Sequence, residues 1–228
     1  MEILKLENLC FSYGSKQVLN GVNYTFETGK IYAVVGKSGA GKTTLLSVIS
    51  GLVEPTEGTI LCNGQDMRSQ DKYEYRSKNI GVIFQDFNLL TKLTAVENVE
   101  LSMEISKTNN KEKIDRDDIE RKAYRILEDV GLERDEADRR VLKLSGGQQQ
   151  RVAIARALSY GPDIILADEP TGNLDEETQE EIMNIMKGLA AQGKCVIIVT
   201  HSSFVAGCAD ERIELKTMKK SVANSLSA

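Results

Sequence analysis

The chain has 228 residues, 41% of them hydrophobic and 5% aromatic, a composition typical of one globular α/β domain. Its net charge is −5, from 29 Lys and Arg against 34 Asp and Glu, which argues against general nucleic-acid binding, so no nucleic-acid partner is expected. The 4 cysteines lack the spacing of a metal site, which favours reduced thiols in the cytoplasm. No apolar run approaches the ~18 residues of a membrane span, so any membrane role is expected through a partner.

The first predicted elements are three strands that lead into a glycine-rich loop. The residue pattern predicts strands over 2–9 and 18–26, joined by a turn at Ser12-Tyr13-Gly14-Ser15. Residues 30–35, apolar from Ile31 onward, predict a third strand, and the pattern G-x-x-x-x-G-K-T follows it directly. A helix is predicted after the loop, so the pattern lies in the strand–loop–helix context that a phosphate-binding loop requires.

The glycine-rich loop is the first candidate binding site. Its residues are Gly36, Lys37, Ser38, Gly39, Ala40, Gly41, Lys42 and Thr43, with Thr44 next in the predicted helix. Glycines let consecutive N–H groups point inward around an anion, and the helix N-terminus favours negative charge. We therefore expect a nucleoside triphosphate here, with Lys42 on its β- and γ-phosphates and the Thr43 hydroxyl on Mg²⁺. An ordinary glycine-rich turn is not favoured, because the motif and both flanks agree.

The middle of the chain changes character. Strands are predicted over 59–62 and 80–84, with a short helix over 68–77 between them. From about 86 to 160 the sequence is helical, apart from a polar and charged stretch, Ser106 to Asp118, that we expect to be a solvated loop. This segment predicts a helical insertion within an α/β domain.

Strand signals return in the last third. Strands are predicted over 163–168, 195–199 and 211–216, and a helix over 175–190. The run 195–199 is apolar throughout, which is typical of central parallel strands covered by helices on both faces.

Together these elements predict a single α/β domain. It has a mostly parallel central sheet, an N-terminal antiparallel β portion and an inserted helical subdomain. The core subdomain is expected to comprise 1–85 and 161–216, the helical subdomain 86–160, and a flexible tail 217–228.

Two adjacent carboxylates, Asp168 and Glu169, end the strand over 163–168. In an open parallel sheet ligands bind at the carboxyl ends of the strands, so Asp168 would be placed to bind Mg²⁺, through water. Glu169 leaves the strand there and would face the γ-phosphate and polarise an attacking water. The alternative is that both residues cap the turn before Pro170; the phosphate loop makes the metal and catalytic interpretation the stronger one.

A third motif consists of Leu144, Ser145, Gly146, Gly147 and Gln148. Ser145 and Gln148 match a capping box, so the stretch is consistent with a well-capped helix. Two glycines in a first turn destabilise a helix by about 1 kcal/mol each relative to alanine. A second anion pocket at a helix N-terminus would explain them, because N–H groups and a hydroxyl would be presented without side-chain obstruction.

The order of these motifs resembles the ABC-type ATPases, the P-loop NTPase subunits of ABC transporters. The resemblance runs from residue 2 to about 216, and 144–148 matches the signature sequence of that family without a departure. It implies binding and hydrolysis of ATP with Mg²⁺. It also implies a homodimer in which 36–43 of one copy holds ATP and 145–148 of the other covers it.

Further site residues come from the resemblance alone. Tyr13 corresponds to the aromatic residue that stacks on adenine, and Gln85 to the glutamine that senses Mg²⁺ and contacts the membrane subunit. Asp175 corresponds to the acidic residue of the loop between subunits, and His201 to the histidine that senses the γ-phosphate. On residue type alone, Tyr13 and His201 would be structural residues and Asp175 a helix cap.

Within the family, the residues around 145–151 and 169–175 look most like a bacterial group that exports macrolides and antimicrobial peptides, releases lipoproteins or confers bacitracin-type resistance. The resemblance implies the ATPase subunit of a transporter or of a mechanotransmission complex, with a separate integral membrane permease subunit. It also implies a location at the cytoplasmic face of the cell membrane. The alternative is a soluble ABC ATPase of DNA repair or translation. The chain has neither the long coiled-coil insertion of the first class nor the second ATPase half of the second.

Overall fold

The computed structural model describes residues 1–109, 113 and 115–216. Its strands, in chain order, are β1 (Glu2–Tyr13), β2 (Lys16–Glu27), β3 (Ile31–Val35), β4 (Glu57–Cys62), β5 (Gln65–Asp66), β6 (Ile80–Ile83), β7 (Ile164–Asp168), β8 (Cys195–Val199) and β9 (Glu211–Glu214). Its α-helices are α1 (Lys42–Ile49), α2 (Lys72–Asn79), α3 (Ala95–Asn109), α4 (Arg116–Asp129), α5 (Arg134–Ala137), α6 (Gly146–Leu158), α7 (Glu176–Ala191) and α8 (Ser203–Gly207). Single 3-10 turns occur at Met67–Ser69 and Val141–Lys143.

The strands form two sheets. The order β2-β1-β4-β5 makes a four-stranded antiparallel sheet, and the order β6-β7-β8-β3-β9 makes a five-stranded parallel sheet. In the parallel sheet β8 lies between β3 and β7, so the three loops that leave the carboxyl ends of these strands are neighbours. The strand order therefore brings together segments that are more than 100 residues apart in the sequence.

Side chains on the two faces of the parallel sheet enter two separate hydrophobic cores. On β8, Val196 and Ile198 pack with α3, α4, α6 and α7, whereas Ile197 and Val199 pack with α1 and the antiparallel sheet. Successive strand residues point to opposite faces, so a strand covered on both faces must be apolar throughout. This explains the unbroken apolar run over 195–199, and the predicted α/β fold is confirmed.

The predicted solvated loop over Ser106 to Asp118 is wrong at both of its ends. Helix α3 continues to Asn109, and α4 begins at Arg116. The charged residues stabilise α4: the Asp115 side chain accepts a hydrogen bond from the Asp118 N–H at 3.3 Å, and Asp118 also pairs with Lys122 at 2.7 Å. Acidic side chains in a first turn complement the helix dipole, so this charge run begins a helix.

Several smaller boundaries also differ; the predicted short helix over 68–77, for example, is a 3-10 turn at Met67–Ser69 followed by α2 at Lys72–Asn79. Strand β1 continues to Tyr13 and strand β2 begins at Lys16, so the predicted turn is shortened to Gly14-Ser15. The last strand ends at Glu214, two residues before the predicted end. The predicted tail over 217–228 lies outside the described residues. Among the described helices, none combines the length and the hydropathy needed to cross a bilayer.

Tyr75 supports a stability prediction, because it joins α2 to the end of α1. Its side chain is 1% exposed, and its hydroxyl donates to the Ile49 carbonyl at 2.8 Å. Replacement by phenylalanine leaves this carbonyl without that donor, so we expect Tyr75→Phe to lower the free energy of unfolding by about 1–2 kcal/mol. Urea denaturation measures the change, with Tyr73→Phe as control, since Tyr73 is 63% exposed. Equal stabilities of the two variants would contradict the prediction.

Candidate active site

A cavity of about 770 Å³ opens at the carboxyl edge of the parallel sheet. This volume lies within the range of small-molecule sites in proteins. The cavity is lined by most of the residues predicted from the sequence: Tyr13, Ser38, Gly39, Gly41, Lys42, Thr43, Thr44, Gln85, Asp168, Glu169 and His201. Three predicted loop residues do not line it, namely Gly36, Lys37 and Ala40.

The glycine-rich loop approaches its neighbours too closely for larger residues. A Cβ atom on Gly36 would lie 2.6 Å from the Leu215 carbonyl oxygen, and one on Gly41 would lie 2.8 Å from Val18 Cγ1. Gly41 also has φ +91° and is the N-cap of α1, which has no side-chain cap. The first N–H groups of α1 are therefore left free of a side-chain acceptor, which is the arrangement that binds an anion.

Lys42 is held inside the loop. Its side chain is buried, and Nζ donates to the Gly36 carbonyl at 3.0 Å and lies 3.1 Å from His201 Nε2. Lysine offers only donors, so a hydrogen bond across this contact needs the His201 tautomer in which Nε2 accepts. Among the described residues no carboxylate forms a salt bridge with Lys42, so its charge is available to an anion in the cavity.

Glu169 has an unusual backbone and a fixed side chain. Its φ is +46°, a left-handed conformation that costs a non-glycine residue about 1–2 kcal/mol. Its N–H donates to the Val199 carbonyl at 2.9 Å, while Oε2 accepts from the Thr200 hydroxyl and the His201 N–H, both at 3.1 Å. Oε1 is buried, lies 3.6 Å from His201 Nε2 and has no hydrogen-bond partner in the described structure.

Asp168 lies half-buried beside the phosphate loop. Burial raises the pKa of its carboxyl group, because the charged form loses solvation, and a hydrogen bond with the Thr43 side chain opposes this shift. A cation near Asp168 would therefore favour the carboxylate. No group of three or more His, Cys, Asp or Glu side chains in the described residues is arranged to hold a metal alone.

Gln85 reaches the cavity from a segment that is held at two points. Phe87 and Asn88 both have positive φ values, 59° and 50°, and the Arg156 guanidinium donates to both of their carbonyls, at 2.9 Å for Phe87. Further along, the Asn98 amide accepts from the Leu90 N–H at 2.8 Å. Burial also lowers the pKa of the Arg156 guanidinium, because its charged form loses solvation. The strained turn after Gln85 is thus attached to helices α6 and α3.

The motif Leu144–Gln148 does not line the cavity of its own chain. Ser145 caps α6: its hydroxyl accepts from the Gln148 N–H at 3.2 Å, and the Gln148 side chain accepts from the Ser145 N–H at 2.8 Å. Both ends of the predicted capping box are therefore present. A Cβ atom on Gly147 would lie 2.6 Å from Thr178 Cγ2, so packing against α7 accounts for one of the two glycines.

Asp175 also lies outside the cavity and caps a helix. Its side chain accepts from the Thr178 N–H at 3.0 Å and from the Thr178 hydroxyl at 2.8 Å. These two bonds lower the pKa of the Asp175 carboxyl group. Within one chain, Asp175 and Leu144–Gln148 are consequently separate from the cavity residues.

Sequence reasoning missed several residues of the cavity. The lining also includes Lys16, Val18, Thr171, Gly172, Gln179, Val199 and Ser202. Thr200, which holds Glu169, was missed as well. Its only signal in the sequence is its place at the end of a buried strand, directly before the single histidine.

Comparison with protein families and curated proteins agrees with this geometry. The family model described as ABC transporter matches residues 19–172. The chain is 41% identical over 230 residues to an uncharacterized ABC transporter ATP-binding protein, YclH of Bacillus subtilis (strain 168), covering 98% of this chain and 99% of that protein. It is 44% identical over 211 residues to the macrolide export ATP-binding/permease protein MacB of Shewanella sp. (strain W3-18-1), covering 90% of this chain but only 32% of the relative.

Two solved structures of MJ0796 are similar along nearly the whole chain. A dimeric structure of this protein, described as a bacterial ABC transporter cassette, has a TM-score of 0.85 and 39% identity and covers 94% of both chains. A second dimeric structure, with the same TM-score of 0.85 and identity of 39%, is a post-hydrolysis state bound to ADP and Pi.

Proposed function

The chain belongs to the ABC transporter family and is an ATPase that binds ATP, and from this premise we propose that it drives a separate integral membrane subunit. The observation that carries the proposal is the meeting of Lys42, Asp168, Glu169 and His201 at one cavity while Ser145 lies outside it. We propose that the cavity residues bind one nucleotide and that the motif Leu144–Gln148, which lies outside the cavity, acts on the nucleotide of a second copy.

We propose that the glycine-rich loop binds the ATP phosphates. The uncapped N-terminus of α1 offers N–H groups, and Lys42 offers a cation already fixed by the Gly36 carbonyl. Tyr13, 56% exposed at the mouth of the cavity, would stack on adenine.

Mg²⁺ is part of the same proposal. The Thr43 hydroxyl, the Gln85 amide and the half-buried Asp168 carboxylate face one cavity and provide the oxygen ligands that this ion prefers, with Asp168 acting through water. When bound, Mg²⁺ neutralises negative charge on the phosphates. The raised pKa of Asp168 fits this role, because burial destabilises the charged carboxylate and a nearby cation would stabilise it.

In hydrolysis, Glu169 is the proposed general base. Its Oε2 is occupied by two donors, so Oε1, which is buried and without a partner in this structure, would accept the proton of the attacking water once it is exposed to the cavity. His201 is the proposed γ-phosphate contact: its Nε2 lies 3.1 Å from Lys42 Nζ and, in the tautomer that carries the proton on Nε2, would donate to a phosphate oxygen. Both side chains stand at the ends of adjacent strands, which keeps their separation fixed.

We further propose that two copies of the chain enclose two ATP molecules. The dimeric structures of MJ0796 support this arrangement. In it, the exposed Ser145 and its neighbours up to Gln148 would cover the nucleotide held by the other copy, and Asp175 would lie where the two sites communicate. Losing a phosphate would then weaken the contact between copies.

The proposed partner is a bacterial permease, and the proposed cargo is an antimicrobial peptide, a macrolide or a lipoprotein. The name of the relative MacB supports macrolide export, although this chain spans only 32% of that relative. The chain would work at the cytoplasmic face of the membrane, held there by the permease. The division into a core subdomain (1–85 and 161–216) and a helical subdomain (86–160) belongs to this proposal.

Copurification tests the proposed coupling against the alternative of a soluble ABC ATPase. We expect the tagged chain, extracted from its own cells in mild detergent, to bring down one integral membrane protein in a fixed ratio. We also expect reconstitution of that pair in vesicles to change the ATPase rate. Recovery of ribosomal or DNA-repair components instead, with no membrane protein, would favour the alternative.

The stacking role of Tyr13 gives a prediction of moderate size. Base–aromatic stacking contributes about 1–3 kcal/mol, so Tyr13→Ala should weaken ATP binding about tenfold. Tyr13→Phe keeps the ring and serves as the matched control, with an affinity close to the original. Equilibrium titration with ATP measures both variants. An unchanged affinity for Tyr13→Ala would show that the residue is only a surface tyrosine of the hairpin.

A further inference from the structure

Thr200 joins the end of β8 to the side chain of Glu169. It is fully buried, with 0% of its surface exposed, and its hydroxyl lies 3.1 Å from Glu169 Oε2. A buried hydroxyl at the end of an apolar strand has to be satisfied, and this one makes two hydrogen bonds. It donates to Glu169 and accepts from the Ser202 N–H at 3.0 Å.

The direction of these two bonds is determined by the donors. The Ser202 backbone nitrogen can only donate, so the Thr200 oxygen accepts from it. The single hydroxyl proton of Thr200 is then directed to the Glu169 carboxylate. The Thr200 N–H donates to the Val34 carbonyl at 3.1 Å, which attaches the residue to β3, the strand that leads into the glycine-rich loop.

Glu169 depends on such support, because its own backbone is strained. With φ at +46° the residue lies in a region that few side chains adopt, and only surrounding contacts keep it there. Its N–H is bonded to the Val199 carbonyl, and Oε2 is held by Thr200 and the His201 N–H. These contacts fix the carboxylate with Oε2 toward β8 and leave Oε1 without a partner.

We infer that Thr200 is a positioning residue for ATP hydrolysis, whose hydroxyl holds Oε2 of Glu169 and thereby fixes the orientation of the carboxylate. The inference rests on the proposed role of Glu169 as general base. Thr200 does not line the cavity itself, and of its two side-chain hydrogen bonds the one to Glu169 is the bond that reaches the proposed general base. The Val34 bond ties this orientation to the base of the phosphate loop.

The test compares Thr200→Val with Thr200→Ser. Valine has nearly the same shape without the hydroxyl, and serine keeps the hydroxyl. We expect Thr200→Val to lower kcat about tenfold or more, because a small displacement of a catalytic group is costly, and to leave the affinity for ATP within about twofold. Thr200→Ser should recover most of the turnover. Thermal melting and ATP titration of each variant establish that it is folded.

A matched control is Thr94→Val. The Thr94 hydroxyl also accepts from a backbone N–H, that of Glu97 at 3.2 Å, but Thr94 is not among the residues that line the cavity. We expect this variant to lose thermal stability and keep its turnover. A normal kcat for Thr200→Val would overturn the inference, and so would an equal loss of kcat in Thr200→Ser or a parallel loss of ATP affinity in Thr200→Val.

A double variant separates this inference from the proposed function. In the Glu169→Gln background, Thr200→Val should cause little further loss, because both changes act through one carboxylate. If Glu169→Gln alone retained full turnover, the general-base proposal would fail. If Glu169→Gln were inactive and Thr200→Val fully active, only the positioning role of Thr200 would fail.

Discussion

Glu169→Gln is expected to bind ATP normally and to hydrolyse it about 10²- to 10⁴-fold more slowly, the size of a general-base contribution. Glutamine has the shape of glutamate and can still accept hydrogen bonds from Thr200 and the His201 N–H through its carbonyl oxygen. The group that replaces Oε1, however, cannot take a proton from water. Steady-state phosphate release measures the loss, and ATP titration tests whether binding is retained.

The same variant should accumulate the ATP-bound dimer. If the γ-phosphate holds two copies together, a chain that binds ATP without cleaving it should elute at twice the monomer mass in gel filtration with ATP. Glu128→Gln is the matched control, because Glu128 is exposed on α4 and is not among the residues that line the cavity. We expect that control to turn over normally. A Glu169→Gln protein that remained monomeric with saturating ATP would contradict the dimer proposal.

Ser145→Arg is the second change with a large expected effect. Arginine removes the cap of α6 and places a long side chain on the surface proposed to cover the partner's nucleotide. We expect ATPase activity to fall about 100-fold or more, the loss typical of removing donors that stabilise developing charge. Binding of ATP to the variant's own loop should persist, since Ser145 does not line that cavity.

Loss of the cap alone has to be distinguished from loss of the shared site. Removing a serine or aspartate N-cap costs about 1 kcal/mol. Asp115→Arg makes a comparable change at α4, where the Asp115 side chain accepts from the Asp118 N–H. We expect both variants to melt at lower temperature and only Ser145→Arg to lose ATPase activity. If both retained it, Leu144–Gln148 would be a helix cap without a role in catalysis.

The charged stretch before α4 illustrates why local patterns mislead. Composition predicts solvent exposure for Ser106 to Asp118, and the charged residues at its end are indeed on the surface. Their positions relative to the helix decide the structure: an N-cap at Asp115 and Asp118 next to the dipole favour helix over loop. A run of charged residues predicts that a segment is solvent-exposed, whereas the position of the N-cap residue determines where the helix begins.

Local sequence alone determined the phosphate loop and the central strands. Only glycine tolerates the φ of +91° at position 41 and the close approach of the Val18 side chain, so the residue types of the loop determine its conformation. An apolar run such as 195–199 likewise requires a strand covered on both faces. The resemblance to the ABC ATPases rests on such local motifs, and the fold it implies is the fold observed.

Only the tertiary structure decided which of these segments meet. The order β7-β8-β3 places Asp168 and Glu169, Thr200 and His201, and the phosphate loop side by side, and it leaves Leu144–Gln148 away from them. Periodicity describes which face of an element is buried, whereas strand order results from packing between residues far apart in sequence. The Thr200–Glu169 bond spans 31 positions and joins the residues that directly follow two neighbouring strands, so no local pattern specifies it.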